Sequence, residues 1–297
     1  MKPWIALYAV LAALTVPGCT IGDFKAMLED RAANADRIVF ASDRAGGARA
    51  IYSMDSDGGD VQRLTGGSAD CKMPDWSPSK LRILYARENG SDWEIRSMSH
   101  DGTDDRPLTT GQNDIWPHWR NDGSRVLFGR YVSDRDSLYS VSPAGTGETV
   151  VLADNWDNAA AHSHPNNGGF VFMRQSHDAG NYEIHVSDRY GTLTPLTSDA
   201  GESRNPRWSP DGSRIVFQSN RDGDWDIFVM DADGGNEVPL TFNSSDDLSP
   251  DWSPDGRRIV FRSDRDGDHD IYVMDADGSD VIQISDEAGS DSVPRWQ

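Results

Sequence analysis

Near its end the chain reads SNRDGDWDIFVMDADGG (Ser219–Gly235) and then, after an interval, SDRDGDHDIYVMDADGS (Ser263–Ser279). The fold turns on why these words are said twice. At the centre of each stand four consecutive apolar residues, Ile227-Phe-Val-Met230 and Ile271-Tyr-Val-Met274. A strand with one wet face would alternate. One that is apolar on both faces is predicted to lie in a sheet covered on both sides. The Asp-Gly pairs around it are turn formers. The Pro and Gly content of every unit rules out a continuous helix.

The unit recurs six times along the chain. Its marker is an apolar triplet: Ile38-Val39-Phe40, Ile83-Leu84-Tyr85, Val126-Leu127-Phe128, Phe170-Val171-Phe172, Ile215-Val216-Phe217 and Ile259-Val260-Phe261. The first residues of these triplets are 45, 43, 44, 45 and 44 apart. A steady period of this size marks a propeller or solenoid array. Each unit carries Pro-x-Trp-Ser-Pro-Asp-Gly (clearest at Pro206–Gly212 and Pro250–Gly256), the triplet strand, the doubly apolar strand, and a short strand ending in Leu-Thr. Four short strands with Gly, Asp and Pro turns make an all-β unit. Blades stacked around an axis cover both faces of each sheet. The first unit lacks the Pro-x-Trp element before Ile38, and the tail Val293–Gln297 supplies it with no unit following. The expectation is a single six-bladed β-propeller with four-stranded blades. Its ring is closed by the C-terminal strand pairing with the N-terminal blade, which leaves few exposed edges.

These words resemble the TolB-type propeller family, which is related to the WD-repeat propellers. The signature, P-x-W-S-P-D-G followed by an I-x-F strand and R-D-G-x-x-D-I-Y-V-M-D, stands nearly complete at residues 206–231 and 250–275 and is partial in the other four units. The resemblance implies the fold across residues 36–297. It does not imply one function, because propellers host scaffolds, peptidase lids and lyases alike.

The first residues, MKPWIALYAVLAALTVPGC, give one charge and an apolar run from Trp4 to Val16. That run is too short to span a bilayer comfortably and reads as an export signal. It ends at Gly18-Cys19, which looks like a bacterial lipobox, although Pro17 departs from the usual small residue. The reading is a lipoprotein-type signal over residues 1–18, acylation of Cys19, and a tether over residues 19–35 with one or two helical turns (Phe24–Arg31) before the propeller. Full TolB proteins carry a separate N-terminal domain whose extreme N-terminus contacts the Tol inner-membrane machinery. A TolB-type propeller lacking that domain is therefore expected here. Acylation of Cys19 leaves Cys71 without a partner, so stability must come from a core rather than from disulfides. Cys71 reads as a small buried residue.

The formal charge is -21, with 49 acidic against 28 basic residues. Nucleic acid is an unsuitable partner, because nothing would displace the counterions of its phosphates. The aspartates suggest calcium at first sight, as in Asp222-Gly223-Asp224-Trp225-Asp226 and Asp266-Gly267-Asp268-His269-Asp270, where alternating carboxylates resemble calcium loops. Neither loop has both the Gly and the Glu of the EF-hand frame, and Asp-Gly is what a tight turn demands. Turns are the preferred reading, with weak calcium binding as the alternative.

The fourth unit breaks the pattern. Where its sisters read Pro-x-Trp-Ser-Pro-Asp-Gly, it reads Ala161-His162-Ser163-His164-Pro165-Asn166-Asn167-Gly168. On a strand, His162 and His164 would share a face. With His118 and Asp114 of the preceding unit they form a candidate N/O set for a divalent metal at a channel mouth. A propeller lyase acting on pectin fragments uses a histidine-bound metal of this general kind. No Gly-x-Ser-x-Gly elbow, phosphate loop or His-Glu-x-x-His helix is present. The tryptophans on the repeat words (Trp76, Trp119, Trp208, Trp252, Trp296) read as inter-blade packing. Trp93, Trp116, Trp156 and Trp225 are freer, and Trp116, Trp156 and Arg204 are candidates for a ligand-binding rim.

Together these readings predict an exported, lipid-tethered monomer at the periplasmic face of a bacterial envelope. It would be a binding or scaffold module for an envelope protein or a cell-wall-associated ligand, with no required cofactor. The alternative is a metal-dependent hydrolase or lyase acting on a polysaccharide-type substrate through the channel histidines.

Overall fold

A computed structural model of the chain describes residues 36–297, apart from residues 133, 167, 177–179 and 199. The predicted signal, Cys19 and the tether with its helical turns lie outside the described residues.

Six four-stranded antiparallel sheets surround one axis. Five take consecutive strands. The sixth, blade 1, combines Asp291–Trp296 with Arg37–Ser42, Ala50–Asp55 and Gln62–Arg63, so the tail closes the ring as the repeat predicts. Ile38 pairs with Trp296 and Ser42 with Asp291. The innermost strands of blades 2 to 6 are Cys71–Trp76, Asp114–Trp119, Trp156–Ser163, Ser203–Trp208 and Asp247–Trp252.

The doubly apolar strands are buried throughout, from Ile227 to Met230 and from Ile271 to Met274. Their cover is the neighbouring blade. One core cluster joins Ala159, Met173 and Ile184 of blade 4 to Trp208, Phe217 and Phe228 of blade 5. Trp252 reaches back onto Val216 and Val229 in the same way. Each blade is thus one wall of two cores, which is why its strands do not alternate.

The remaining repeat words are hydrogen-bonding devices. The Ser of Ser-Pro-Asp-Gly accepts the backbone N–H five residues on (Arg214 to Ser209, 2.9 Å; Arg258 to Ser253, 2.9 Å) and donates to its Asp, at 2.7 Å in both blades. The Thr of Leu-Thr also works twice. Thr241 Oγ1 accepts from Ile227 N at 2.9 Å and donates to Asp226 at 2.7 Å. It therefore pairs a buried backbone donor that would otherwise be left without an acceptor.

One device was not legible in the repeat. Counting blade 4 from Asn158, its equivalent of Asp114, the third residue of every innermost strand has positive φ: Met73, Trp116, Ala160, Asn205, Ser249 and Val293. Pairing skips there. Lys72 faces Ala86 and Asp75 faces Leu84, so two residues oppose Tyr85 alone. A bulge of this kind adds one residue to one strand. It brings the second and fifth residues, which would otherwise point oppositely, to the same face of the sheet.

Candidate functional site

The bulge builds two layers in the channel. The fifth residues of the six innermost strands form a ring at its waist: Arg295, Asp75, His118, His162, Arg207 and Asp251, in blade order 1 to 6. The ring alternates. Asp75 accepts from Trp119 N at 3.1 Å, His162 Nδ1 from Trp208 N at 3.1 Å, and Asp251 from Trp296 N at 3.0 Å. Each acceptor thereby clasps the next blade's innermost strand. Between them stand His118, Arg207 and Arg295.

Electrostatics follow from this packing. Burial pushes the Asp75 carboxyl up, but His118, with its Nδ1 at 3.1 Å, together with Arg207 and the Trp119 N–H, holds it below the usual carboxylate range. Burial raises the Asp251 carboxyl despite the opposing pull of Arg207 and Arg295. Burial, then repulsion from Arg207, lowers Arg295 to about 9. Burial, then His118 and Arg207, depress the His162 imidazole strongly. A neutral His162 suits its place, because Nδ1 must be unprotonated to accept from Trp208 and the ring proton then sits on Nε2.

Of the predicted metal set, the structure brings two residues together. The rings of His118 and His162 lie 4.3 Å apart, and His118 Nε2 is buried without a hydrogen-bond partner among the described residues. His164 does not join them. The strand ends at Ser163, so alternation along it no longer applies, and the His164 ring packs edge-on against Trp208 at 4.7 Å. Asp114 stands at the first position of its strand, beyond the bulge from His118. There Arg130 holds it in a buried pair, Nε to Oδ1 at 2.6 Å. With the His162 Nδ1 lone pair engaged by Trp208 and the ring proton on Nε2, the set offers a free imidazole nitrogen on His118 and the Asp75 carboxylate. Among the described residues, the group of three or more acidic, histidine or cysteine side chains whose ligand atoms converge within 4.8 Å is Asp266, Asp270 and Asp286, in blade 6. Asp270 is pushed up to about 7, first by burial and then by Asp266 and Asp268.

Ser163 replaces the repeat tryptophan. A cleft of about 300 Å³ opens there between blades 3 and 4, lined by Leu127, Val151, Leu152, Phe170 and Leu193. The missing tryptophan was legible in the sequence; the cleft it leaves was not read from it.

The waist separates two basins, with a void of only about 10 Å³ between them beside Arg207 and Arg295. The narrow basin, about 210 Å³, is bounded by the Trp-Ser-Pro turns. The wide basin, about 400 Å³, opens at the opposite mouth and includes Trp116 and Arg204, two of the three rim candidates. Arg204 stacks over Tyr182 at 4.8 Å and pairs with Glu202 at 2.6 Å. Trp156 is 36% exposed beneath Arg174 and does not line this basin. Sequence reasoning missed Arg49, in a loop of blade 1, and Arg262, on the second strand of blade 6, which meet Lys72 only in the folded ring.

Comparison with known proteins matches this architecture. The family model described as the TolB beta propeller domain matches residues 32–165 and 175–297. The Tol-Pal system proteins TolB of Bordetella pertussis and Bordetella parapertussis are each 29% identical over 156 residues, or 52% of this chain. The chain spans about a third of the length of these curated relatives, 36% and 35%. Among solved structures, TolB from Acinetobacter baumannii is similar with a TM-score of 0.77 and 21% identity, over 88% of this chain and 66% of that one. An oligogalacturonate lyase in complex with manganese is similar with a TM-score of 0.56 and 16% identity, over 84% and 73%. At such identities the likeness is one of fold. Matched over most of its length by the family model, and built of the same ring of blades, the chain belongs to the TolB β-propeller family.

Proposed function

We propose that the protein is an exported binding module of the bacterial cell envelope, held at a membrane surface by lipid on Cys19, and that it presents the wide channel mouth to another envelope protein. One observation carries this reading. The framework repeats from blade to blade, but the second residues of the innermost strands do not: Lys72, Ile115, Ala159, Arg204, Leu248 and Ser292. A rigid scaffold that varies its side chains at one open mouth is the arrangement recognition sites take. The names of the TolB relatives, which belong to the Tol-Pal system, support an envelope partner. A photo-crosslinking amino acid at Trp225, on this mouth, is expected to trap a protein adduct in cells. The same group at Arg257, exposed on a turn of the opposite face, is expected to trap none. Equal adducts from both positions, or none from either, would remove this reading.

A second reading, metal-assisted hydrolysis or elimination on a polysaccharide, is favoured by the unpartnered His118 Nε2 beside His162. A metal there would activate water or polarise an oxygen. About one transition metal per chain in purified protein, lost in His118→Ala/His162→Ala, is what this reading expects. Protein of either kind without stoichiometric metal sets it aside.

A further inference from the structure

The wide basin is a cluster of cations in a chain of formal charge -21. Arg49, Lys72, Arg204 and Arg262 line it, from blades 1, 2, 5 and 6. Arg204 has its carboxylate in Glu202. Arg49, Lys72 and Arg262 make no ion pair among the described residues, and the Lys72 ammonium instead stands 3.5 Å over the Trp93 ring. Nearby carboxylates are committed elsewhere. Asp70 accepts from Arg49 N at 2.8 Å, and Asp264 from Asp246 N at 2.9 Å. These acids order loops behind the basin; with Glu88 and Asp246 they offset part of the charge of Lys72 and Arg262, but none forms an ion pair with either cation among the described residues.

The groups on the floor are incompletely satisfied. Among the described residues, Arg262 Nε and Arg204 Nε are buried without acceptors, and Asn205 Oδ1 is buried without a donor. The orientation of Asn205 follows from its network. Gln218 Oε1 accepts from Ser249 N at 2.8 Å, so the group it also takes from Asn205, at 2.9 Å, is the amide Nδ2. Asn205 Oδ1 is left pointing away from that bond. Buried polar atoms without partners are costly unless something pairs them. The cations also oppose one another. Burial first depresses both Lys72 and Arg262, and Arg49 adds to it, against the pull of Asp70 and Glu88 on Lys72 and of Asp246 and Asp264 on Arg262. An anion in the basin would relieve that repulsion.

We propose that the wide mouth binds an acidic peptide segment, with a carboxylate held by Arg49, Lys72 and Arg262 and a peptide N–H donated to Asn205 Oδ1. The inference rests on the binding-module reading and names the chemistry that module would recognise. Inorganic phosphate would satisfy the cations but, as an anion rich in acceptors, suits Asn205 poorly. Met73, Met173, Trp116 and Trp225 add apolar wall for the side chains on either side, in a basin of about 400 Å³ that admits a few residues.

The test is titration of the purified protein with Glu-Glu-Glu at low salt, read by tryptophan fluorescence and calorimetry. Gln-Gln-Gln, inorganic phosphate and glucuronate serve as comparators. One-site binding of Glu-Glu-Glu is expected, at least ~10-fold tighter than any comparator and weakened by added salt. Arg49→Gln/Arg262→Gln is expected to lose at least ~10-fold with an unchanged melting curve, as both side chains border the basin without ion pairs. Should that variant fold poorly, Lys72→Gln reads the same loss. Equal binding of Glu-Glu-Glu and Gln-Gln-Gln, undiminished binding in the variants, or tighter binding of phosphate or glucuronate would each overturn the proposal. Crosslinking from Trp225 with no binding of Glu-Glu-Glu would leave the binding module standing and remove only its acidic ligand.

Discussion

Deleting Val293–Gln297 is expected to lower the melting temperature by at least ~6 °C, because about 3–5 kcal/mol for the loss of a buried tryptophan alone corresponds to that shift or more in a domain of this size. Those five residues are the latch of the ring. Trp296 is 6% exposed and packs between Val260 and Ile271 of blade 6 and Ile38 and Met54 of blade 1. Its backbone N–H is clasped by Asp251, its indole donates to Asp36 at 2.8 Å, and Gln297 N donates to Arg37 O at 3.0 Å. Without them the faces of blades 1 and 6 become wet, and the first strand of blade 1 becomes a free edge. Thermal melts and size-exclusion profiles of the two proteins measure this. An unchanged curve would mean that the ring does not depend on its closure.

The second large effect is expected in the waist. Asp75→Asn keeps an acceptor for Trp119 N–H and removes only the charge. His118, 3.1 Å away, and Arg295 on the other side then lose the anion between them, with Asp251 left on the far side of Arg295. The Asp75 carboxyl is held below its usual range, so its charged form supports the fold. Breaking a buried pair on one side costs about 3–5 kcal/mol, and about 2–4 kcal/mol is expected here because the carboxylate borders the narrow basin. Adding Arg295→Met restores the charge balance and is expected to recover more than half of the loss. Denaturant melts of the two single variants and the double variant form a mutant cycle. Strictly additive losses would show that the ring is not an electrostatic unit.

Blade number, strand order and the closing tail could be read before any coordinates because they rest on period and pattern. A 44-residue repeat with two turn words and one doubly apolar strand admits few folds. The tail is informative because it carries half a repeat that the first unit lacks. The structural reading of Asp222–Asp226 has the same origin, since Asp-Gly at a hairpin is local chemistry. The calcium alternative for its sister turn in blade 6 meets a real gathering of carboxylates at Asp266, Asp270 and Asp286, one of which comes from a loop that no local pattern connects to the other two.

The channel depended on what local pattern does not record. Alternation along a strand assumes an unbroken ladder. A bulge at the third residue of every innermost strand reverses parity, and the strand's end at Ser163 removes His164 from the argument. His118 and His162 were singled out as residues, but their place as two members of an alternating six-membered ring appears only when all six blades are superposed around the axis. The cations of the wide mouth are likewise scattered, at Arg49, Lys72, Arg204 and Arg262, among 28 basic residues in an acidic chain. Covalent order carries the blade, because its hydrogen bonds and its apolar faces are set within about 44 residues. The sites lie where six blades converge, and convergence depends on closing the ring, which brings into contact residues more than 200 positions apart.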